Sequence, residues 1–565
     1  VTGIPAGFTL VYDNDKRLIW LRRIDGAIPR VYADADWSSV AVGADPDGAG
    51  GATAYEFDSF DTLTEALNAV DANGIIRATT CVFTDALALT KSVTIEVPTG
   101  ETPSTTGAIS GAGALTKTGA GTFTYNNAAA PSHLGGSRSF GGVLNWQSNT
   151  NGAFGSGGMM LGNGGAYRRT ITGTVTDSTS PITIVGGGGG LLVDLSAATA
   201  GTLTYSGNIS GSSDLNIGYF QSKNHWRTIV LSGNNTGLTG TISLSSVGTY
   251  ARILRFNSAN SMGGNPGTRY ISWTDTGLPV ALNFAAVEAD LNKLNPAANC
   301  LLGIDGNFSI DLTSPTLVMS NKDTIRLCTT QNITYGAGNT ITPANNTYRF
   351  GCGGGLLTFS NANKLTDGVT PRSAMFFYND QVYIYAPIGG GTKLSAANNY
   401  TGGTTVYGGS RWDGFYGPAT LNHDQGFGVA GSGVVMDNSA DILFTNNPHT
   451  DTYSYTISGG TCRIWLQLAA MVLNLNGLIT INGGCVLRLG PRGNSGGAGT
   501  YNMNPGGGKI TGLGRLEMAG TSGGSNSYYN LYGDNDYGGG TWLDQGAGGS
   551  GGFYAGVGHN NAFGT

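Results

Sequence analysis

The side chains that could carry chemistry in this sequence are few and scattered. Asp-x-Asp turns occur at Asp13/Asp15, Asp45/Asp47 and Asp534/Asp536. Carboxylates so spaced supply oxygen ligands to Ca²⁺, which makes Asp45, Asp47, Asp534 and Asp536 the candidate metal ligands. None is followed by the rest of an EF-hand loop and no Gly-Gly-x-Gly-x-Asp array appears, so turn formation is the competing account. Beyond Ca²⁺ no cofactor is expected. Glycoside cleavage needs two carboxylates across a cleft, and lyase chemistry a base beside a cation. Acids thin out after residue 100, and no stretch interleaves them with Arg, Lys and aromatics, so no catalytic residue is assigned. The five histidines, at 133, 225, 423, 449 and 559, lie far apart in polar, loop-like contexts and are expected to be solvent-exposed. Gly186 to Gly190 follows an apolar strand but lacks the Lys-Ser/Thr of a phosphate loop.

Cys81, Cys300, Cys328, Cys352, Cys462 and Cys485 include no Cys-x-x-Cys and no paired His, against a zinc site. Cys328 to Cys352 is 24 residues and Cys462 to Cys485 is 23, each close to a β-helix rung of roughly 20 to 25 residues. Equivalent residues on adjacent rungs lie about 4.8 Å apart. Two readings stay open, an interior ladder of buried thiols and a disulfide stapling one rung to the next. Aromatics are the remaining candidates. Trp412, Tyr416, Tyr529, Tyr532, Tyr537 and Trp542 form a candidate binding surface, because aromatic faces stack on sugars or on a neighbouring chain. Packing inside the rungs is the alternative.

The elements that would position these groups follow from composition. Of 565 residues 95 are Gly, charged residues make up 11%, and the net charge is −6. A chain so poor in charge and so rich in Gly lacks what long helices need. Collagen is excluded because the glycines keep no three-residue period. Disorder is disfavoured because 39% of residues are hydrophobic. The scattered Lys and Arg give no footprint for nucleic acid. The most apolar stretch, Trp465 to Ile481, is broken by Gln467, Asn474, Asn476 and Gly477, so no membrane span is expected. Solubility must come from uncharged Asn, Ser, Thr and Gly, a habit of secreted and surface-displayed β-proteins.

Residues 1–58 read as an N-terminal β lead-in module of short strands and Asp/Gly turns. One helix follows, with Phe60, Leu63, Leu67 and Val70 on its apolar stripe, a Thr62-x-x-Glu65 capping box and an Asn73-Gly74 stop. Over 59–100 it feeds short, regularly spaced strands, as a cap on the first rung of a β-solenoid would. From 101 to 565 short strands alternate with Gly/Asn/Ser turns, and landmarks recur. Asn235-Thr-Gly-Leu-Thr-Gly, Asn399-Tyr-Thr-Gly-Gly-Thr and Asn535-Asp-Tyr-Gly-Gly-Gly share an Asn and a strand entry. A small-Phe/Met-Gly triplet recurs at Ala153-Phe-Gly155, Ser261-Met-Gly263, Gly426-Phe-Gly428 and Ala562-Phe-Gly564. Asn151-Gly-Ala-Phe-Gly-Ser156 runs on into a strand, whereas its near copy Asn561-Ala-Phe-Gly-Thr565 stops, which suggests a parent chain that continues.

Ile109-Ser-Gly-Ala-Gly-Ala-Leu-Thr-Lys-Thr-Gly-Ala-Gly-Thr-Phe-Thr-Tyr125, with the Asn-Tyr-Thr-Gly-Gly and Asn-Gly-Ala-Phe-Gly elements, resembles the autotransporter-associated β-strand repeats of bacterial surface proteins. Asp36 to Gly50, leading into the helix, is similar to the entry of pectin-lyase-like β-helix regions. The resemblance implies a right-handed parallel β-helix, exported and often adhesive. The expected fold is therefore all-β, a β-solenoid of on the order of 20 rungs with one capping helix and a short N-terminal β module. The expected role is a non-enzymatic structural or adhesive rod at the bacterial cell surface, self-associating into a filament or binding extracellular polysaccharide. The alternative is a phage tail fibre or tailspike that binds host polysaccharide, with cleavage of that polysaccharide a third reading. Uncharged Asn, Ser and Thr are expected to stack in ladders along the rungs, where like charges would repel.

Overall fold

The computed structural model describes residues 8–13, 18–23, 28–48, 50–152, 154–177, 180–195, 201–219, 227–246, 252–378, 390–408, 419–466, 470–490, 499–520, 526–544 and 553–564. From Ile28 onward short strands of alternating burial, hydrogen-bonded in parallel to strands about one turn away, build a parallel β-solenoid of about 18 turns. The chain divides into two compact units, one formed mainly by residues 1–223 and the other mainly by 267–565. Among the described residues no helix is long and apolar enough to cross a membrane.

In the first unit a nine-stranded parallel sheet runs from Ser59–Phe60 and Ile28–Ala33 through Val70–Ala78 and Leu115–Thr118 to Ile209–Ser210. Ile28–Ala33 thus belongs to the solenoid and not to a separate lead-in module. The antiparallel hairpin Phe8–Asp13/Leu18–Arg23 forms a sheet of its own. The predicted helix is Leu63–Ala69, and the Thr62 hydroxyl caps it by accepting from the Glu65 amide at 3.1 Å. It is shorter than the apolar stripe implied. Phe60 sits in a strand, and Asn73-Gly74 lies inside Val70–Ala78 instead of ending the helix. The chain enters that strand directly from the last helical residue, because Val70 and Ile76 are needed as inward members of the sheet. A second, four-residue helix, Glu288–Leu291, was not anticipated.

The second unit carries a long parallel sheet from Arg252–Phe256 through Thr347–Gly351 to Ile510–Gly512. A nine-stranded sheet runs from Ile333–Thr334 to Thr541–Asp544, and a five-stranded sheet comprises His449–Asp451, Met471–Leu475, Gly499–Met503, Ser527–Leu531 and Phe553–Val557. Parallel in-register pairing puts like beside like. Leu327, Phe350, Phe376, Val406, Met436, Ile457 and Ile481 form one buried column. The Phe350 and Phe376 rings stack within it at 5.4 Å. Such columns bury apolar area on every rung, at about 25 cal/mol per Å².

The recurring landmarks are one device. Asn235, Asn398 and Asn535 are buried, and each side chain joins three successive rungs. Its carbonyl accepts from an amide of the rung before, Ile209, Leu365 or Ile510, at 2.8, 3.1 and 2.7 Å. Its amide donates to a carbonyl of the rung after, Ser261, Gly426 or Ala562, at 2.8, 2.8 and 2.7 Å. The accepting residues are the small residues of the Phe/Met-Gly triplets. The middle copy is therefore anchored on Asn398, one residue before the Asn399 expected. The triplet glycines Gly155, Gly263, Gly428 and Gly564 all have positive φ, from +78° to +94°. A Cβ on Gly428 would strike the Tyr400 carbonyl, so Gly is required twice over.

A second thread accompanies it. The Tyr400 hydroxyl bonds the Thr404 hydroxyl at 2.6 Å, and Thr404 donates to the Phe427 carbonyl at 3.4 Å. Tyr537, Thr541 and the Phe563 carbonyl repeat that chain. In the first unit His133 takes the tyrosine's place, 2.7 Å from the Ser137 hydroxyl, which donates to the Phe154 carbonyl at 3.1 Å. Replacing Asn398 by Leu leaves the Leu365 amide and the Gly426 carbonyl buried and unpaired, at about 1–3 kcal/mol each. Hydrogen exchange should show lost protection around both residues, while rungs more than two away keep theirs.

Candidate functional site

The five-stranded sheet presents the most regular outward surface. Alternation sends Leu475, Met503 and Leu531 inward, and with them Leu473, Tyr501 and Tyr529. The neighbours one residue away face out in two columns. Thr450, Asn474, Asn502 and Asn530 make the first, Val472, Thr500, Tyr528 and Tyr554 the second. In the first column Asn474 donates to the Thr450 hydroxyl at 2.9 Å, Asn502 to Asn474 at 2.7 Å and Asn530 to Asn502 at 2.7 Å. In the second, the Tyr528 and Tyr554 rings stack at 5.0 Å and 13°, with exposures of 41% and 50%.

Beside Thr450 lies a cavity of about 340 Å³ lined by His423, Asp424, Gln425, Ala430, Thr450 and Tyr453, among others. Behind it His449 is buried, its ring against Phe444 at 4.4 Å. Nε2 lies 3.2 Å from Asp451 Oδ2, and Nδ1 faces Asn446 Oδ1 at 2.7 Å and Asp424 Oδ1 at 3.2 Å. The Asn446 amide is oriented by donating to Asp424 at 2.8 Å. Both ring nitrogens thus lie within hydrogen-bond distance of side-chain oxygens, which fixes the ring in place. Burial pushes the Asp451 carboxyl up, against the hydrogen bonds from His449 and from Tyr455 at 2.8 Å. This imidazole is enclosed, so it clamps the turn and does not reach the cavity as a free base.

A second buried cluster is likewise self-contained. Arg169 pairs with Asp177 at 3.0 Å, stacks 3.7 Å over Trp146, and donates to the Ser148 and Thr150 carbonyls at 3.1 and 2.9 Å. Tyr167 donates to the same carboxylate at 2.8 Å.

Two of the aromatic candidates are not surface residues. Tyr529 is buried, stacked on Tyr501 at 5.0 Å, and donates to the Leu489 carbonyl at 3.4 Å and to the Ala519 carbonyl. Its neighbour Tyr528 holds the outward position instead. Tyr537 is buried in the rung-joining device. Tyr532 and Trp542 are exposed, at 43% and 58%, and the Arg515 guanidinium covers Trp542 at 4.5 Å. Trp412 and Tyr416 lie outside the described residues, as does His225. The histidine expectation fails at His133 and His449, both buried, because each fills a position its turn requires.

The candidate calcium-ligating carboxylates are already engaged, Asp45 and Asp47 by their own turn and Asp534 and Asp536 by neighbouring rungs. Asp45 accepts from the Asp47 and Gly48 amides at 3.2 and 2.9 Å, and Asp47 from Gly50 and Ala52 at 3.0 and 3.2 Å. Asp536 pairs with Lys509 at 2.7 Å and Asp534 accepts from Asn561 at 2.8 Å. Among the described residues no group of three His, Cys, Asp or Glu is placed to hold a metal ion.

All six cysteines are free thiols, and Cys328, Cys352, Cys462 and Cys485 are buried. The register explains the missing staples. Leu327 pairs with Phe350, which puts Cys328 opposite Gly351, and Cys462 pairs with Leu487, two residues past Cys485.

Neither the family models nor the curated proteins nor the solved structures contain a match to this chain.

The sequence reading missed the outward amide column, although a signal existed: Asn474, Asn502 and Asn530 recur 28 residues apart, each before a large apolar residue.

Two outcomes follow from these environments. Burial lowers the His133 pKa to about 4 from its usual 6.5. The unfolded chain therefore takes up the proton first, and stability on the order of 3 kcal/mol is lost as pH falls from about 6.5 to 4. His133→Tyr restores the residue of the other copies, so thermal unfolding scans should show it matching the parent at pH 7 and surpassing it at pH 5. Burial also pushes the Cys300 thiol up to about 11 and Cys462 up to about 12. Native protein should resist thiol reagents. Denaturation without reductant should expose all six thiols to alkylation, read as a mass shift.

Proposed function

We propose that the chain is a non-enzymatic, extracellular β-solenoid with a structural and adhesive role, part of a larger bacterial surface protein or filament. The observation that carries this reading is the three-rung asparagine bridge at Asn235, Asn398 and Asn535. Buried polar side chains are committed there to axial continuity, and ladders of amides and hydroxyls extend the same logic to the outer surface. The low charge supports display outside a cell, where Asn, Thr and Gly maintain solubility. The resemblance of the Ile109 to Tyr125 region to autotransporter-associated repeats supports a bacterial surface location.

Immunogold labelling of intact producing cells tests the reading. Label on the outer surface, removed by external protease, is the expected result. Label confined to the cytosol contradicts it, and label on virions favours a tail fibre. Release of reducing ends from polysaccharide by the purified full chain would contradict the non-enzymatic part.

A further inference from the structure

We infer that the outward face of the five-stranded sheet binds a neutral, extended polysaccharide, with the chain lying across the rungs and one end reaching the cavity beside Thr450. The inference rests on the adhesive reading above and names its ligand class.

The face is uncharged. The outward positions on five successive rungs are Thr450, Val472, Asn474, Thr500, Asn502, Tyr528, Asn530, Tyr554 and Gly556, and none carries a charge at neutral pH. Elsewhere this unit does place charge on successive rungs: Asp441, Arg463, Arg488 and Glu517 share a column of the nine-stranded sheet, with Asp441 and Glu517 buried in it. There Arg488 lies 3.4 Å from Glu517 and 2.6 Å from Asp544 of the neighbouring strand. An anionic or cationic polymer finds no counter-charge on the amide face, so the matching partner is uncharged.

The face also keeps hydrogen-bond capacity. Each ladder amide spends one N–H on the rung before it, at 2.7 to 2.9 Å. An amide nitrogen has two hydrogens and its oxygen two lone pairs. One donor and one acceptor site per rung therefore remain, repeated about every 4.8 Å. A polymer of linked hydroxyl-bearing rings offers donors and acceptors in the same alternating supply.

Shape points the same way. The stacked Tyr528 and Tyr554 rings, 5.0 Å apart and exposed, form an aromatic ridge in the outward column of Val472 and Thr500, beside the amides. A chain seated on the amides packs against that ridge, which costs little entropy because the rings already hold each other. At the Thr450 end the track meets the 340 Å³ cavity, a size typical of small-ligand sites. Its Asp424 is already engaged by the Asn446 amide at 2.8 Å and the Thr450 backbone at 3.1 Å.

The test uses the full chain in titration calorimetry against cellohexaose, xylohexaose, mannohexaose and laminarihexaose, with heparin and polygalacturonate as anionic probes. Binding of at least one neutral hexasaccharide, insensitive to added salt, is expected. Tyr528→Ser should weaken it about tenfold. Asn502→Asp, which keeps the side chain's shape but charges the track, should weaken it about tenfold or more. Circular dichroism establishes that both variants fold. No binding across the neutral panel overturns the inference, as does binding unchanged in both variants or confined to the anionic probes. A chain displayed on cells that binds none of the neutral probes sinks this inference and leaves the surface reading standing. A chain absent from the outside sinks the surface reading itself.

Discussion

Parallel in-register stacking at one rung spacing is the constraint on which everything else in this protein depends. A side chain in such a fold meets its counterpart one rung up and one rung down at about 4.8 Å, so each column must be tolerable as a repeat. Aliphatic and aromatic residues meet that condition inside, as Leu327 to Ile481 do. Amides and hydroxyls meet it at the surface by bonding to their own kind, as Asn474, Asn502 and Asn530 do. Like charges do so only where opposite charges flank them, as Asp441 and Glu517 flank Arg463 and Arg488, which gives the scarcity of Lys, Arg, Asp and Glu a physical cause.

At Lys117 and at Asp305 the structure meets a buried charge with fixed partners. Lys117 stands in the inward column between Ile95 and Ser139. Its ammonium reaches the carbonyls of Gly119 and Gly121 at 2.5 Å each and of Gly141 at 2.9 Å. Burial still lowers its pKa to about 8. Arg255 and Asp305 pair at 3.1 Å with Thr330 completing the group. In each case the charged group ties together turns from different rungs, the task that Asn235, Asn398 and Asn535 perform without charge. Buried ion pairs add little net stability, and the Arg255–Asp305 pair joins residues 50 apart in the chain.

The class of fold was legible because it is written in composition and in short-range alternation. Gly at corners and period-two strands leave few alternatives to a β-solenoid. Partners across rungs were not legible, because they depend on register, and insertions of uneven length hide it. Asn398 was misplaced by one residue for that reason, and the two cysteine spacings of about one rung fell out of register. Single-residue parity decided the aromatic surface. In Ser527–Leu531 the inward Leu531 makes Tyr529 inward and Tyr528 outward, an inference the local alternation permitted but a search for aromatic clusters passed over. His133 looked like a loop residue because its role is defined by Ser137 and by a triplet on the next rung, Phe154-Gly155.

Stacked columns bound rung to rung by side chains hold this fold together. A density map of the full chain at side-chain resolution tests it most directly. It should show rungs about 4.8 Å apart, with Asn474, Asn502 and Asn530 in one outward column and Asn398 reaching both Leu365 and Gly426. A map that placed those three asparagines on different faces, or left Asn398 facing solvent, would contradict it.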